Sequence, residues 1–129
     1  EKMKKILIYS LILTGILMAS CQYKFTVEPV VIPPDPTDTI YFSQSVEPIW
    51  NDGDFCTSCH KTGGTNPDLS TGNAYEALTS GGYIDTDNPS ESMIYTFPLP
   101  GASTHSWKQY SETQAAILLQ WIEQGALNN

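Results

Sequence analysis

The stretch Cys56-Thr57-Ser58-Cys59-His60 decides how this chain is read. Two residues separate the thiols, and an imidazole follows directly after the second. One turn of chain then presents both sulfurs to neighbouring points on a flat ligand, with the next side chain beneath that ligand's centre. This C-x-x-C-H spacing is the haem-attachment pattern. Each sulfur adds to one vinyl group to form a thioether, and His60 donates a ring nitrogen as the proximal iron ligand. The expectation is one haem c held covalently by Cys56 and Cys59. No second C-x-x-C-H and no internal repeat occur, so one haem is the ceiling.

Two other readings use the same residues. Cys56 and Cys59 could form a disulfide or a thioredoxin-like redox pair, but such a pair normally lies in an alternating strand-helix pattern that this sequence lacks. Zinc could draw on Cys56, Cys59 and His60, but His105 is the one further soft ligand, and adjacent Cys59 and His60 do not easily share a small ion.

The first twenty residues read as an export signal. Lys2, Lys4 and Lys5 precede an apolar run over residues 6–18, followed by the small residues Ala19 and Ser20. The run is too short for a membrane-spanning helix. Met3 reads as the start residue, with Glu1-Lys2 as an upstream extension. Met18-Ala19-Ser20-Cys21 resembles the lipobox of bacterial lipoproteins, with Met18 in place of the usual leucine. The resemblance implies a diacylglycerol on the Cys21 thiol, cleavage before Cys21 and acylation of the new amino terminus. Several acyl chains hold a protein stably on a lipid bilayer. No acidic run follows Cys21, which favours a periplasm-facing anchor, with the choice of membrane left open.

The full chain carries a formal charge of −8. Beyond residue 20, three lysines (Lys24, Lys61, Lys108) stand against thirteen acidic residues, a charge of −10. That balance argues against nucleic acid and suits a partner with a basic face, although solubility alone would account for it.

Residues 21–39 read as a lipid-anchored proline-rich tether. Pro29, Pro33, Pro34 and Pro36 disfavour helix, and Val27, Val30, Val31 and Ile32 allow a short edge strand. Fully extended, residues 22–39 reach about 55 Å at roughly 3.1 Å each. The domain is expected over residues 40–129, long enough for a small core.

Ser43 is the expected N-cap of a first helix containing Val46, Ile49 and Trp50, with Pro48 making it short or bent. Residues 51–54 end it, and residues 61–68 read as a loop. Residues 73–78 form a second short helix with Ala74, Tyr75 and Leu78 inward, stopped at Gly81-Gly82. Asn88-Pro89 opens a third helix to about Tyr95, which would bury Met93 and Ile94. Residues 97–110 read as a loop. Ser111 and Gln114 make a capping box for the last helix, where Ala115, Leu118, Trp121 and Ile122 recur at helical spacing before Gly125.

A helix before the Cys56–His60 motif, short helices in the middle and a long helix at the end resemble a class I c-type cytochrome domain. Trp121-Ile122-Glu123-Gln124-Gly125-Ala126-Leu127-Asn128-Asn129 resembles the "W-I-x-x-G-A-x-x-N" ending of small monohaem cytochromes of the Bacteroidetes and planctomycete kind. Residues 73–78 and 89–94 resemble weaker shared segments. The resemblance spans roughly residues 40–129. It implies an all-α, small cytochrome c fold of about four short helices, with the first and last helices crossing above one haem.

In such domains a methionine of the loop before the last helix usually supplies the sixth iron ligand. Here that loop, Gly101-Ala102-Ser103-Thr104-His105-Ser106-Trp107-Lys108, has none. His105 is therefore the first choice as distal iron ligand, Met93 is the alternative, and an open site is the third possibility. The expected function is a membrane-anchored carrier of single electrons between redox proteins of the cell envelope, alone or within a respiratory or other membrane complex. It is not expected to be an enzyme. The alternative is an open-site peroxidase or diatomic-gas sensor, although the chain has no arginine to assist a peroxidase.

Overall fold

The computed structural model describes residues 2–4, 34–52 and 56–129. The chain divides into two units, Glu1–Val30 and Val31–Asn129. Of the first, residues 2–4 form an exposed helical turn. The readings made for residues 5–33, among them the apolar run, Cys21 and the valine-rich segment, and for residues 53–54 lie outside the described residues. Among those described, no helix is long and apolar enough to cross a membrane.

Among the described residues the second unit carries four α-helices: α1 (Glu47–Asn51), α2 (Ala74–Ser80), α3 (Met93–Thr96) and α4 (Glu112–Glu123). A π-helical turn, Phe42–Val46, leads into α1, and 3-10 turns cover Cys56–Ser58 and Pro89–Glu91. No strand occurs among the described residues, so the fold there is all-α.

α4 follows from its local sequence. Ser111 Oγ accepts the amide of Gln114 at 3.2 Å, and Gln114 Oε1 accepts the amide of Ser111 at 2.9 Å, closing the expected capping box. Ala115, Leu118, Trp121 and Ile122 face inward and are buried. The helix stops where Gly125 takes φ +92°, a conformation costly for other residues. α2 also follows the pattern: Ala74 and Leu78 are buried, and Gly81 caps the end.

The start of the first helical segment differs from expectation. Ser43 is not its N-cap; Tyr41 holds that place, with no side-chain cap. The open amide of Phe42 instead donates to Asn129 Oδ1 at 2.8 Å, and the Ser43 amide and hydroxyl donate to Asn129 O at 3.2 and 3.0 Å. A residue from the far end of the chain thus satisfies donors that a local cap would otherwise take. Pro48 falls in the first turn of α1, where a missing N–H leaves nothing unsatisfied.

The third helix is also not continuous. Ser92 takes an extended conformation (φ −52°, ψ 131°) between the 3-10 turn and α3. It is almost fully buried, its hydroxyl accepting the amide of Asp85 at 2.9 Å and donating to Asp85 O at 3.2 Å, and this hydroxyl therefore serves the preceding loop and caps no helix. Ile94 is buried, but Met93 is 44 % exposed, contrary to its expected place in the core.

The core joins both ends of the domain. Phe42 packs against Trp121 at 5.2 Å between ring centres, against Tyr75 at 5.4 Å edge-on and against Trp50 at 6.1 Å. The buried indoles are satisfied: Trp50 Nε1 donates to Tyr110 Oη at 3.1 Å, and Trp121 Nε1 to Leu127 O at 2.9 Å. Part of the expected tether is also tied down. Gln120 Nε2 donates to the carbonyls of Asp35 (2.8 Å) and Asp38 (3.1 Å), and Gln124 Nε2 donates to Asp38 O at 2.7 Å. The chain is therefore fastened to α4 from residue 35, ahead of the boundary expected at Ile40.

Candidate functional site

The motif begins on the 3-10 turn Cys56–Ser58 and closes with the amides of Cys59 and His60 both donating to Cys56 O, at 3.1 and 2.8 Å. This tight turn puts both cysteines and His60 on one cavity wall. Cys56 is partly buried and Cys59 exposed, each a free thiol. Burial pushes the Cys56 thiol up, an effect that the positive charge of Lys108 partly offsets. An attacking thiol of thioredoxin type needs the opposite bias.

The loop after the motif orients His60. Asp68 accepts from Thr62 Oγ1 (2.6 Å), from the Ser70 amide (3.0 Å) and from Asn73 Nδ2 (3.0 Å), which hold its carboxyl down at about 2. The clamp carries buried Pro67, whose carbonyl lies 3.2 Å from His60 Nδ1. A carbonyl only accepts, so Nδ1 carries the proton and Nε2 keeps its lone pair.

His105 arrives from the opposite side on the 97–110 loop. Its Nδ1 lies 2.7 Å from Lys108 O, which assigns the same tautomer and leaves Nε2 as the acceptor. The His60 and His105 ring centres are 6.0 Å apart and the planes inclined by 30°. Trp107 stacks on His105 at 4.7 Å. The two histidines singled out in the sequence thus come together.

Two adjoining cavities, of about 140 and 420 Å³, share Cys56, His60, Asn66, Phe97 and His105. The smaller has walls of Leu69, Tyr83, Met93, Ile94, Pro98 and Tyr110. Met93, the alternative distal ligand, therefore also faces this space. Tyr110 is buried, which raises its hydroxyl far above the ordinary tyrosine range, and it donates to Ile94 O at 3.0 Å. No buried side-chain polar atom among the described residues lacks a partner.

The donor set fits a haem. A metal–imidazole bond is about 2 Å and a ring centre lies about 1.2 Å behind its nitrogen, so imidazoles on opposite sides of one ion would have centres about 6.4 Å apart, close to the 6.0 Å found here. Among the described residues no group of three or more His, Cys, Asp or Glu side chains gathers to hold an ion alone. Two imidazoles, two nearby thiols and apolar walls are the groups that would hold a haem.

Several participants gave no local signal. Pro67 and Lys108 act through backbone carbonyls, which any residue possesses. Trp107 and Tyr110 are aromatic residues of a loop, and only the fold shows that one covers His105 while the other closes the cavity. Comparisons of the chain with protein-family models, with curated proteins and with solved structures found no match.

Proposed function

We propose that this chain is a monohaem c-type cytochrome that carries single electrons between redox proteins of the cell envelope. The observation that carries this reading is the C-x-x-C-H turn facing a second histidine, with both imidazoles fixed by backbone carbonyls in the iron-binding tautomer. Cys56 and Cys59 would hold the macrocycle and His60 and His105 its iron, while the bound haem would supply the one-electron couple. The chain's own part is to fix both imidazoles, which limits ligand rearrangement between oxidation states. It also lines the cavity with apolar groups and leaves Cys59 at the surface, so one edge remains accessible. The contact of Phe42 with Trp121, which joins the first helical segment to α4, supports the finer reading as a small cytochrome c fold.

Lipidation at Cys21, a periplasm-facing position and partners with basic faces belong to the same proposal. They rest on the lipobox-like segment and the acidic composition.

The test is expression with export and haem-maturation machinery. Pigment that survives acidified acetone and adds the mass of one haem is the expected result, together with a low-spin ferric spectrum and little binding of carbon monoxide. Colourless exported protein, or pigment wholly lost to the solvent, overturns the proposal. Rapid, complete binding of carbon monoxide would favour an open-site sensor or peroxidase instead.

A further inference from the structure

We propose that Gln109 is the positioning residue that holds His105 over His60, an inference that rests on His105 being the distal ligand. The loop over residues 97–110 has neither helix nor strand to stiffen it. A segment of that length loses much conformational entropy when one side chain must keep one position. Something in the loop must hold the imidazole.

The base of the loop is closed by the Tyr110 amide, which donates to Pro98 O at 2.8 Å. Higher up, Gln109 spans the loop with both ends of its amide. Its Nε2 donates to Ala102 O at 2.6 Å, and its Oε1 accepts the Gly101 amide at 3.1 Å. The side chain thus imitates the paired donor and acceptor of a backbone strand. It joins the two limbs at the point where Gly101 turns the chain with φ +81°.

His105 lies between these limbs. Its partner carbonyl belongs to Lys108, directly before Gln109. Latching residue 109 to residues 101 and 102 therefore fixes the imidazole and the carbonyl that sets its tautomer as one unit. Thr104 Oγ1 adds a bond to Phe97 O at 2.9 Å, but this group is exposed. Trp107 stacks on the imidazole while 74 % exposed, so it covers the ring without fastening the loop. Gln109 is half-buried, and its Nε2 bond is part-buried, where a hydrogen bond holds best against water.

The experiment uses the full, exported, haem-loaded chain and three variants: Gln109→Leu, which removes both bonds, Gln109→Glu, which keeps only an acceptor for Gly101, and His105→Ala. Ferric electron paramagnetic resonance reads the spin state, and stopped-flow mixing of the dithionite-reduced protein reads carbon monoxide binding. Far-ultraviolet circular dichroism establishes that each protein is folded at the measuring temperature. Gln109→Leu is expected to keep its thioether haem, to gain a high-spin fraction and to bind carbon monoxide roughly tenfold faster, about the effect of losing two hydrogen bonds at the weak end of their net range. Gln109→Glu, which sets a carboxylate oxygen against Ala102 O, should also gain a high-spin fraction, and it carries the test if the leucine variant does not fold. A merely structural role would lower the melting temperature and leave spin state and binding rate unchanged in the folded protein. That result overturns the proposal. The failure of the underlying reading looks different: wild type would then bind carbon monoxide as fast as His105→Ala, or contain no haem.

Discussion

The imidazoles of His60 and His105 stand 6.0 Å apart, and each has its Nδ1 engaged by a backbone carbonyl, of Pro67 and Lys108 respectively. The two ends of the proposed axis are therefore built alike, although one lies in a cysteine-flanked turn and the other on a long loop. Hydrogen bonds of this kind fix ring orientation and raise ligand basicity.

The first prediction concerns ligation. His105→Ala should leave the thioether haem in place and open the iron, seen as a high-spin ferric signal and ready binding of carbon monoxide. His105→Met should restore a saturated iron at a higher potential, because thioether sulfur favours the ferrous state. Redox titration of the three proteins checks the order. A low-spin spectrum unchanged in His105→Ala would remove His105 from the site.

The second concerns the aromatic relay beneath the loop. Tyr110 Oη accepts from Trp50 Nε1 and donates to Ile94 O. Tyr110→Phe would leave a buried donor and a buried acceptor without partners, a loss of about 2–6 kcal/mol at roughly 1–3 kcal/mol for each group. Urea denaturation with an unchanged slope is the measurement.

The third concerns the cap supplied from the chain's far end. Asn129→Ala removes Oδ1, the acceptor for the Phe42 amide, and leaves the backbone carbonyl that serves Ser43. The expected loss is that of a helix cap, about 1 kcal/mol. Ser43→Ala, which removes one exposed hydroxyl, should have a smaller effect in the same assay.

The fourth is a pH dependence. The hydrogen bonds from Thr62, Ser70 and Asn73 lower the Asp68 carboxyl to about 2 from 3.8. A depressed folded-state value means that the native state holds its proton less tightly. The clamp's contribution is thus complete above the unfolded value and lost as pH falls from about 4 to about 2. Carboxyl-carbon NMR should place the Asp68 midpoint near 2, and Asp68→Asn should flatten the stability slope across that interval. Because the clamp carries Pro67, the His60 Nδ1 proton should exchange faster in the same variant.

What was legible in the sequence follows the range of the interaction behind it. The capping box at Ser111 and Gln114, the inward face of α4 and the stop at Gly125 depend on neighbours within one or two turns, and each appears as expected. The start at Phe42 was not legible, because its cap lies on Asn129. The break at Ser92 was not legible either, because a buried hydroxyl bonded to Asp85 leaves no mark on periodicity. Met93 looked like core on a continuous helix and became half-exposed once that helix divided. At the candidate site, the spacing of Cys56, Cys59 and His60 predicts one turn that presents the three together, and such a turn is found there. The carbonyls of Pro67 and Lys108, the Trp107 stack and the Gln109 latch depend on chain tracing that spacing does not encode.

Gln120 of α4 and its C-cap Gln124 bear on how an anchored domain would search for partners. Since Gln120 and Gln124 take up the carbonyls of Asp35 and Asp38, a tether from an anchored Cys21 would end near residue 34. Its maximum span falls to about 40 Å at roughly 3.1 Å per residue. With lipid on Cys21, a shorter leash confines the domain to a thinner shell above the bilayer and raises its effective concentration there, so encounters with other membrane-bound proteins would become more frequent at the expense of distant ones.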